Sequence, residues 1–298
     1  MKLVITGGSG KLARYLAPAL SREHNILLYD EQPPQQKQYQ WKQGKITDKT
    51  KLSEAFQGAE GVIHLAALRS RYNYLPMKVM ETNVLGTFSV LEAACKEGLQ
   101  KLIFSSSDAV LGIAQSKTEL APKYLPIEEN HPLKPEDPYG ISKMLGEEMC
   151  HRYAEGYDLD IIALRFSNIL CPGDEQKYLA DAKNPSTRRK SLWAWVHADD
   201  AVHAIQRSLA SNIRGYEMFH IAAEDVCLLS HNVPHLLATY FPKTQIRRPL
   251  SDKESLIDCS KAKNKLDFRL CRKFTEVVAP GGSEPSDKNY KRTSVLKS

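Results

Sequence analysis

A tyrosine and a lysine stand four residues apart in the segment YGISK, residues 139–143. A free tyrosine has a pKa near ~10, but a neighbouring cation favours the phenolate and lowers that pKa. Residues i and i+4 share one face of a helix, so Lys143 can approach Tyr139. A hydroxyl from the serine run at residues 105–107 can hold a substrate oxygen while the tyrosine takes its proton. These residue types indicate proton transfer at an alcohol, although an isolated pair of this spacing is more often a packed tyrosine beside a solvated lysine.

The N-terminal residues predict an element that would bind a dinucleotide. Residues 2–5 (KLVI) read as a short apolar strand, and Gly7 and Gly10 lie in the turn before a helix that extends to about Ser21. Glycines permit a tight turn and a close approach of backbone to ligand. The helix N-terminus then offers unpaired N–H groups and a positive dipole end to a pyrophosphate. The alternative is an ordinary strand-to-helix turn.

Asp30 favours the dinucleotide interpretation because it follows the second predicted strand, residues 25–29 (NILLY). It stands about twenty positions after the glycines, where a carboxylate can accept hydrogen bonds from both ribose hydroxyls of NAD. The same charge would repel the 2′-phosphate of NADP. We therefore expect NAD as the cofactor, with NADP disfavoured.

These features resemble the extended short-chain dehydrogenase/reductases, the NAD-dependent epimerase/dehydratase family, over roughly residues 1–275. The matching segments occur in the family's order and are residues 6–13 (TGGSGKLA), 61–67 (GVIHLAA), 83–87 (NVLGT), 104–107 (FSSS), 139–143 (YGISK), 164–168 (LRFSN) and 196–201 (VHADDA). The resemblance implies an NAD-dependent enzyme that transfers a hydride at a sugar-like alcohol.

The resemblance also assigns roles to individual residues. It implies that Tyr139 is the base and that Lys143 lowers the tyrosine pKa and contacts the nicotinamide ribose. Ser107 would hydrogen-bond the reacting oxygen, and Asn83 would brace the catalytic helix. The cofactor residues that it implies, besides Tyr139 and Lys143, are Gly7, Gly10, Lys11, Leu12, Asp30, Ile46, Leu65, Ala66 and Ala67. The substrate residues are Ser107, Asn168, Trp193 and Arg247.

At two positions the sequence differs from the family's motifs, and these differences limit the reaction and the cofactor contacts that we expect. Sugar-nucleotide dehydratases of the family carry an Asp-Glu pair after the serine strand, whereas this chain has Asp108 and Ala109. Alanine cannot abstract a proton, so we expect no dehydration. Asp108 is either an acid or, as we prefer, a capping or solvated loop residue. At position 45 the family often has an Asp that contacts adenine, whereas this chain has Lys45. We therefore expect the backbone near Ile46 to recognise adenine. Asp48 is expected to cap the next helix.

The segment that would bind the substrate is short, with only 27 residues between Asn168 and Val196. Trp193 and Trp195 within it could stack on a sugar face or pack in the core, and the sequence does not separate the two uses. The basic run at 188–190 could grip a phosphate or carboxylate, although solvated charge is the simpler interpretation. Arg247 lies in a basic stretch that would suit an anionic substrate. The shortened segment resembles that of family members acting on smaller sugars or sugar acids, such as the uronate dehydrogenases.

The alternation of strand and helix patterns over 298 residues predicts an α/β fold with a doubly wound parallel sheet. We expect this Rossmann fold to carry a smaller C-terminal substrate-binding lobe. Residues 1–168 are assigned to the NAD-binding domain, to which 196–222 returns, and residues 169–195 and 223–275 are assigned to the lobe. The remainder, 276–298, is expected to be a disordered basic tail.

The net charge of +6 arises at the C-terminal end, since residues from Lys243 onward hold 14 Lys and Arg against 7 Asp and Glu. The polar tail from residue 280 onward lacks clear amphipathicity, so we expect a solubilising end and no nucleic-acid or membrane partner. No run approaches the ~20 apolar residues of a membrane span, and the start is too short for a signal peptide. The cysteines and histidines lack metal-ligand spacing, so we expect reduced thiols, no metal site and a cytoplasmic protein.

Three functional hypotheses remain. The first is an epimerase that oxidises a secondary hydroxyl of a sugar or sugar nucleotide through a transient ketone and keeps its NAD bound. The second is a dehydrogenase or reductase of a small sugar, sugar acid or other alcohol that exchanges NAD freely. The third is a non-catalytic NAD-sensing protein, which the intact Ser107, Tyr139 and Lys143 argue against. The resemblance also suggests a homodimer formed through paired helices, one of them carrying Tyr139.

Overall fold

The computed structural model describes residues 1–69, 74–116 and 120–279. Its strands are β1 (Lys2–Thr6), β2 (Asn25–Asp30), β3 (Gln40–Gln43), β4 (Gly61–His64), β5 (Lys101–Ser107), β6 (Tyr124–Leu125), β7 (Asp160–Phe166), β8 (Asn168–Leu170), β9 (Trp195–His197), β10 (Tyr216–Ile221) and β11 (Gln245–Ile246). Seven of them form one parallel sheet in the order β10-β7-β5-β4-β1-β2-β3. Two parallel pairs, β6 with β11 and β8 with β9, lie outside it.

Helices connect the strands and cover the sheet. They are α1 (Ala13–Leu20), α2 (Lys49–Phe56), α3 (Pro76–Met80), α4 (Gly86–Lys96), α5 (Pro138–Gly156), α6 (Glu175–Asp181), α7 (Pro185–Arg188), α8 (Ala198–Ala210), α9 (Val233–Tyr240), α10 (Ser260–Leu266) and α11 (Phe274–Val277). A π-helical turn spans Glu81–Leu85, and 3₁₀ turns span Asp108–Leu111 and Arg189–Ser191. Helices α1 and α8 contribute to one apolar core of the sheet, and α2, α4 and α5 contribute to another.

The sheet strands are apolar because helices cover both of their faces. In β1, for example, residues 3–6 are all buried. The order of the strands in the sheet reverses direction between β1 and β4, which is the arrangement of a doubly wound α/β fold. The predicted fold class is therefore confirmed, and the reversal marks the edge of the sheet at which a ligand is expected.

A separate apolar core lies outside the sheet and belongs to the smaller lobe. Trp193 and Trp195 lie at its centre, with Phe241, Leu256 and Phe274 around them. The short pairs β6–β11 and β8–β9 frame this core. Because β8 directly follows β7, the chain passes from the sheet into the lobe at residue 167, beside the carboxyl end of the central strands.

The folded part of the chain extends further toward the C-terminus than the sequence predicted. Residue 276 was expected to begin a disordered tail, but α11 continues through it to Val277, which is buried in the lobe core. The rest of the predicted tail, residues 280–298, lies outside the described residues. Within the described residues, none of the helices is both long enough and apolar enough to span a membrane.

Candidate active site

The reversal of strand order brings two predicted cofactor segments together. Thr6 ends β1 and is paired in register with His64, which ends β4. The glycine loop follows Thr6, and residues 65–67 follow His64, so both segments emerge side by side at the carboxyl edge of the sheet. Ligands of doubly wound sheets bind in the crevice at this edge.

Gly7 is the point at which the two segments come closest. Its φ is +72°, and a Cβ added to it would lie 2.7 Å from the backbone nitrogen of Ala66. A larger residue would be strained there and would push the two segments apart. The backbone N–H of Gly10 donates to the carbonyl of Gly7 at 2.9 Å, which closes the turn before α1. The bare backbone of this turn and the N-terminus of α1 fit a pyrophosphate.

His64 is a buried structural bridge behind this cleft. Its Nδ1 lies 2.7 Å from the hydroxyl oxygen of Thr6, and its Nε2 lies 3.0 Å from that of Thr87. Thr87 uses its own proton to donate to the carbonyl of Asn83 at 2.6 Å, so Nε2 of the histidine must be the donor in that pair. Burial lowers the pKa of His64 to about 3, which keeps the ring neutral. The bridge therefore ties β1, β4 and α4 together without adding charge to the cleft.

Asp30 lies beside the glycine loop. Its two carboxylate oxygens accept hydrogen bonds from the backbone nitrogens of Ser9 and Gln32, each at 3.0 Å. A carboxylate oxygen can accept more than one hydrogen bond, so Asp30 can still accept from ribose hydroxyls. Its charge next to the loop is the feature expected to disfavour a 2′-phosphate.

Lys11 directs its side chain out of the loop and toward the lobe. Its Nζ donates to both carboxylate oxygens of Asp174, each at 2.6 Å, across 163 residues of sequence. Asp174 directly precedes α6, so this ion pair connects the glycine loop with the substrate lobe. The ammonium is thus paired within the protein, and the backbone of Lys11 is available to a cofactor.

The side chains of Ile46 and Leu12 both pack against neighbouring parts of the protein. The side chain of Ile46 is buried against Gly86, where an added Cβ would lie 2.5 Å from its Cδ1. Leu12 packs against the apolar core on the α1 side of the sheet. Asp48 accepts a hydrogen bond from the backbone nitrogen of Lys51 at 3.1 Å, which confirms that it caps α2.

Strand β5 and helix α5 bring the predicted catalytic residues together. Ser107 ends β5 near Tyr139 on the first turn of α5, and its hydroxyl donates to the carboxylate of Asp108 at 3.3 Å. Asp137 caps this helix by accepting from the backbone nitrogens of Tyr139 and Gly140 at 3.0 and 3.1 Å. A Cβ on Gly140 would lie 2.7 Å from the carbonyl oxygen of Ala109, so glycine lets the first turn rest on the residues after Ser107.

Lys143 is buried beneath the tyrosine, with 4% of its surface exposed. Its Nζ donates to the backbone carbonyl of Ser105 at 2.7 Å and lies 5.8 Å from the centre of the Tyr139 ring. Burial lowers the pKa of Lys143 to about 8, an effect that negative groups such as Glu147 oppose. The lysine therefore remains mainly cationic at neutral pH while lying in an apolar surrounding.

The pKa of Tyr139 lies above its ordinary value, which is the direction opposite to the one expected from the sequence. Burial of the phenol is the largest cause, and the carboxylates of Asp108 and Asp137 raise the pKa further. The charge of Arg69 and the neighbouring hydroxyl of Ser107 lower it. The sequence pattern indicated a neighbouring cation but could not weigh it against the cost of burying a phenolate.

Asn83 holds two parts of the site in register. Its side-chain oxygen accepts from the backbone nitrogen of Leu68 at 2.8 Å, and its amide nitrogen donates to the carbonyl of Leu68 at 2.9 Å. The same amide nitrogen donates to the hydroxyl of Ser142 at 2.9 Å. Ser142 lies between Tyr139 and Lys143 on α5. Asn83 therefore positions the catalytic helix against the segment after β4, and the π-helical turn around it aims its side chain there.

Arg69 and Asp137 are site residues that sequence reasoning missed. The charge of Arg69 acts on both Tyr139 and Lys143. The signal for Arg69 was a basic residue directly after the segment HLAAL, and the signal for Asp137 was an Asp-Pro pair in front of the YGISK segment. Asp followed by Pro is typical of a helix N-cap and first position.

Trp193 corrects a prediction, because it does not face the cleft. The side chain is fully buried, and its indole nitrogen donates to the carbonyl of Pro185 at 2.7 Å. Its ring packs against Tyr240 and Phe241. Of the two interpretations left open by the sequence, core packing is therefore the one observed. Sequence alone could not decide, since both uses require the same apolar ring.

Asn168 and Arg247, which were also predicted to bind the substrate, lie in different surroundings from Trp193. Asn168 begins β8 at the entry to the lobe, and its amide lies 3.4 Å from the carbonyl of Ala194. Arg247 lies over the ring of Tyr124, 3.2 Å from its centre, and forms an ion pair with Glu128 at 3.4 Å. In the described residues, the contacts of Arg247 are with the β6 side of the lobe and include no catalytic residue. Its role toward a substrate stays a prediction.

A protein family and several known proteins are similar to this chain. The model of the NAD dependent epimerase/dehydratase family matches residues 3–222. A putative UDP-glucose 4-epimerase of Methanocaldococcus jannaschii is 33% identical over 178 residues, which cover 56% of this chain and 55% of that protein. The aligned part thus spans only about half of that relative's length.

Two further relatives are covered over most of their length. The uronate dehydrogenase of Pseudomonas putida is 24% identical over 246 residues, 81% of this chain and 84% of that protein. A short-chain dehydrogenase/reductase superfamily protein from Agrobacterium tumefaciens, solved with bound NAD, superimposes with a TM-score of 0.72 at 20% identity. That match covers 93% of this chain and 95% of the solved one, and it supports the fold assignment.

Proposed function

Because the chain belongs to the NAD-dependent epimerase/dehydratase family, we propose that it is an NAD-dependent enzyme that oxidises a secondary hydroxyl of a sugar or sugar nucleotide. The observation that carries this proposal is the meeting of Ser107 at the end of β5 with Tyr139 on α5, with buried Lys143 one turn further along that helix. A hydroxyl donor, a phenol and a buried ammonium at one sheet edge are what proton removal from an alcohol requires.

Each residue of the cleft would have its own role in binding the cofactor or in catalysis. The backbone of Gly7, Gly10 and residues 65–67 and the carboxylate of Asp30 would hold NAD, whose nicotinamide ring accepts the hydride from the substrate carbon. Ser107 holds the reacting oxygen in place. Tyr139, as the phenolate, takes the proton from that oxygen.

Cations at the site favour the phenolate that this chemistry needs. Lys143 and Arg69 both place positive charge near Tyr139, and the approach of a positive charge lowers the pKa of a phenol. Once the hydroxyl proton is lost, the substrate carbon releases its hydride more readily. The product is a ketone that is still bound next to Ser107.

The fate of this ketone separates two candidate activities. If it stays bound and takes the hydride back on its other face, the enzyme is an epimerase. If it leaves, the enzyme is a dehydrogenase of a small sugar, sugar acid or other alcohol. The dehydrogenase candidate is supported by the short segment between Asn168 and Val196 and by the burial of Trp193, which removes one proposed sugar contact from the cleft.

Release of the cofactor from purified protein tests the proposal and distinguishes the candidates. The protein is denatured and the supernatant is assayed enzymatically for NAD and NADP. We expect near-stoichiometric NAD from an epimerase, and no NAD but measurable binding of added NAD from a dehydrogenase. Failure both to release NAD and to bind it in a calorimetric titration would show that the proposed function is wrong.

Asp30→Asn is expected to change the choice of cofactor. Asparagine keeps an oxygen for the backbone nitrogen of Ser9 but removes the charge that repels a 2′-phosphate. The ratio of affinities for NADP and NAD, measured by fluorescence titration of the reduced forms, should rise about tenfold, the size of one lost charge contact of ~1.4 kcal/mol. Glu31→Gln, at the exposed neighbouring position, is the matched control. An unchanged ratio in Asp30→Asn would mean that Asp30 does not face the ribose.

We also propose that the protein is a cytoplasmic homodimer. Met77, Leu85 and Leu145 are exposed large apolar residues on α3, the π-helical turn and α5, elements that pack against one another. Their exposure on one set of packed helices supports an interface there. The helix pairing suggested by the family resemblance would include α5, which carries Tyr139.

A further inference from the structure

Strand β5 faces helix α5 with every second residue. Side chains alternate between the two faces of a strand, so Phe104 and Ser106 share one face. The ring of Phe104 packs directly against α5, because a Cβ added to Gly146 would lie 2.5 Å from its Cζ atom. The hydroxyl of Ser106 donates to a carboxylate oxygen of Glu147, the next residue of that helix, at 2.5 Å. The middle residue of the serine run is therefore a contact between the strand and the catalytic helix.

Glu147 is a fixed partner for this hydroxyl. The guanidinium of Arg165, on the neighbouring strand β7, donates to its two carboxylate oxygens at 2.8 and 2.7 Å. Ser106, Glu147 and Arg165 are all buried, so none of these side chains is open to a ligand in the cleft. A hydrogen bond to a charged group is shorter and stronger than one between neutral groups. The bond from Ser106 therefore restrains the strand against the helix.

The residues on either side of Ser106 serve the catalytic site. Ser105 precedes it, and the carbonyl of Ser105 accepts a hydrogen bond from the Nζ of Lys143 at 2.7 Å. Ser107 follows it, and the hydroxyl of Ser107 holds the reacting oxygen in the proposed reaction. A shift of the strand along the helix at Ser106 would therefore move both of these groups relative to Tyr139 and Lys143.

We propose that Ser106 is a positioning residue, and that its hydrogen bond to Glu147 fixes the end of β5 against the catalytic face of α5. Catalysis depends steeply on such distances, because a misplacement of ~1 Å can lower a rate about 100-fold. The carboxylate of Glu147 is also among the groups that oppose the lowering of the Lys143 pKa by burial. This inference rests on the proposed function and adds to it a residue that does not line the cleft.

Three substitutions of buried serines test this role. Ser106→Ala removes the hydroxyl but leaves Glu147 with its two hydrogen bonds from Arg165. Ser106→Cys keeps a side chain of similar shape with a weaker donor. Ser208→Ala is the matched control, because Ser208 is also buried and its hydroxyl donates to the carbonyl of Ala204 at 2.8 Å, within α8 on the opposite face of the sheet. Urea denaturation of each variant shows that the rates are measured on folded protein.

Steady-state turnover of galactose, galacturonate, UDP-glucose and UDP-glucuronate is measured first. In Ser106→Ala we expect kcat to fall about tenfold, a part of the loss that a misplacement of ~1 Å can cause, while KM and the Kd of NAD change little. Ser106→Cys should be intermediate, and Ser208→Ala should match the wild type in kcat. A merely structural role would lower the urea midpoint in both alanine variants without this selective loss of kcat. A wild-type kcat in Ser106→Ala overturns the inference and leaves the proposed oxidation in place.

Chemical labelling of Lys143 keeps this inference separable from the proposed function. If the wild type turns over none of these sugars, the proposed function is wrong for them, and the position of the lysine is then tested by itself. The purified protein is acetylated with limiting acetic anhydride, and the labelling rates of Lys143 and Lys261 are compared by mass spectrometry. Lys261 is the internal reference, because its Nζ also donates to a backbone carbonyl, that of Met218 at 2.9 Å, but lies on α10.

The ratio of these two labelling rates reports how firmly Lys143 is held against β5. We expect it to rise about fivefold in Ser106→Ala, the change in population that the loss of one hydrogen bond typically causes. In Ser208→Ala the ratio should equal that of the wild type. An unchanged ratio in Ser106→Ala overturns the positioning role in a protein that turns over none of the sugars.

Discussion

Tyr139→Phe is expected to lower the turnover of the enzyme about 10²- to 10⁴-fold, the usual contribution of a positioned general base. Phenylalanine keeps the ring that lies beside Lys143 but removes the phenol oxygen that would take the proton. Affinity for NAD should change little, because the glycine loop and Asp30 are untouched. The measurement is steady-state oxidation of a sugar substrate together with a calorimetric titration of NAD.

Tyr157→Phe is the matched control for this substitution. Tyr157 directly follows α5, is exposed and stacks on Tyr153 away from the cleft, so its hydroxyl has no part in the proposed reaction. The wild type should also oxidise faster as the pH rises, because the pKa of Tyr139 is raised and only the phenolate accepts a proton. Undiminished turnover in Tyr139→Phe would exclude the tyrosine as the base.

Glu147→Gln is expected to cause a large loss of stability, about 3–5 kcal/mol in the free energy of unfolding. Glu147 lies one turn after Lys143 on α5 and receives two hydrogen bonds from the guanidinium of Arg165, at 2.8 and 2.7 Å. It also accepts from the hydroxyl of Ser106 at 2.5 Å. Both charged side chains are buried, so the neutral glutamine would leave the charge of Arg165 without its partner.

Urea denaturation of the variants measures this loss. Glu148→Gln is the control, because Glu148 is exposed and pairs with Arg152 on the surface. The double variant Glu147→Met with Arg165→Met should lose less stability than the sum of its two single variants, since no buried charge is left alone. If Glu147→Gln were as stable as Glu148→Gln, the pair would not be what holds β5, β7 and α5 together.

The parts of the site that were predictable from sequence depend on local rules. Gly7 and Gly10 follow a buried strand and precede a helix, and this order is enough to predict a turn with exposed backbone. The i, i+4 spacing places Tyr139 and Lys143 on one helix face, and Asp48 caps α2 as its position in front of a helix predicts. Each of these inferences concerns residues close together in sequence.

The parts that were not predictable depend on contacts between distant segments. Burial of Trp193 follows from its packing on Tyr240, which lies 47 residues further along the chain. The raised pKa of Tyr139 follows from burial that several elements produce together. The position of Arg69 near the base depends on Asn83, whose hydrogen bonds join the segment after β4 to α5. No rule based on residue spacing predicts contacts between residues so far apart in the sequence.

The most direct test of the central claim is a single-turnover experiment with NAD-loaded protein. Wild-type protein and Tyr139→Phe are mixed rapidly with each of several hexoses and hexuronates, free and UDP-linked, and the absorbance of the reduced nicotinamide is followed. We expect a burst in the wild type with at least one sugar, which decays again in an epimerase and persists in a dehydrogenase, and no burst in Tyr139→Phe. A wild type that binds NAD but shows no burst with any of the sugars, or a burst of equal rate in Tyr139→Phe, would contradict oxidation by the Ser107, Tyr139 and Lys143 site.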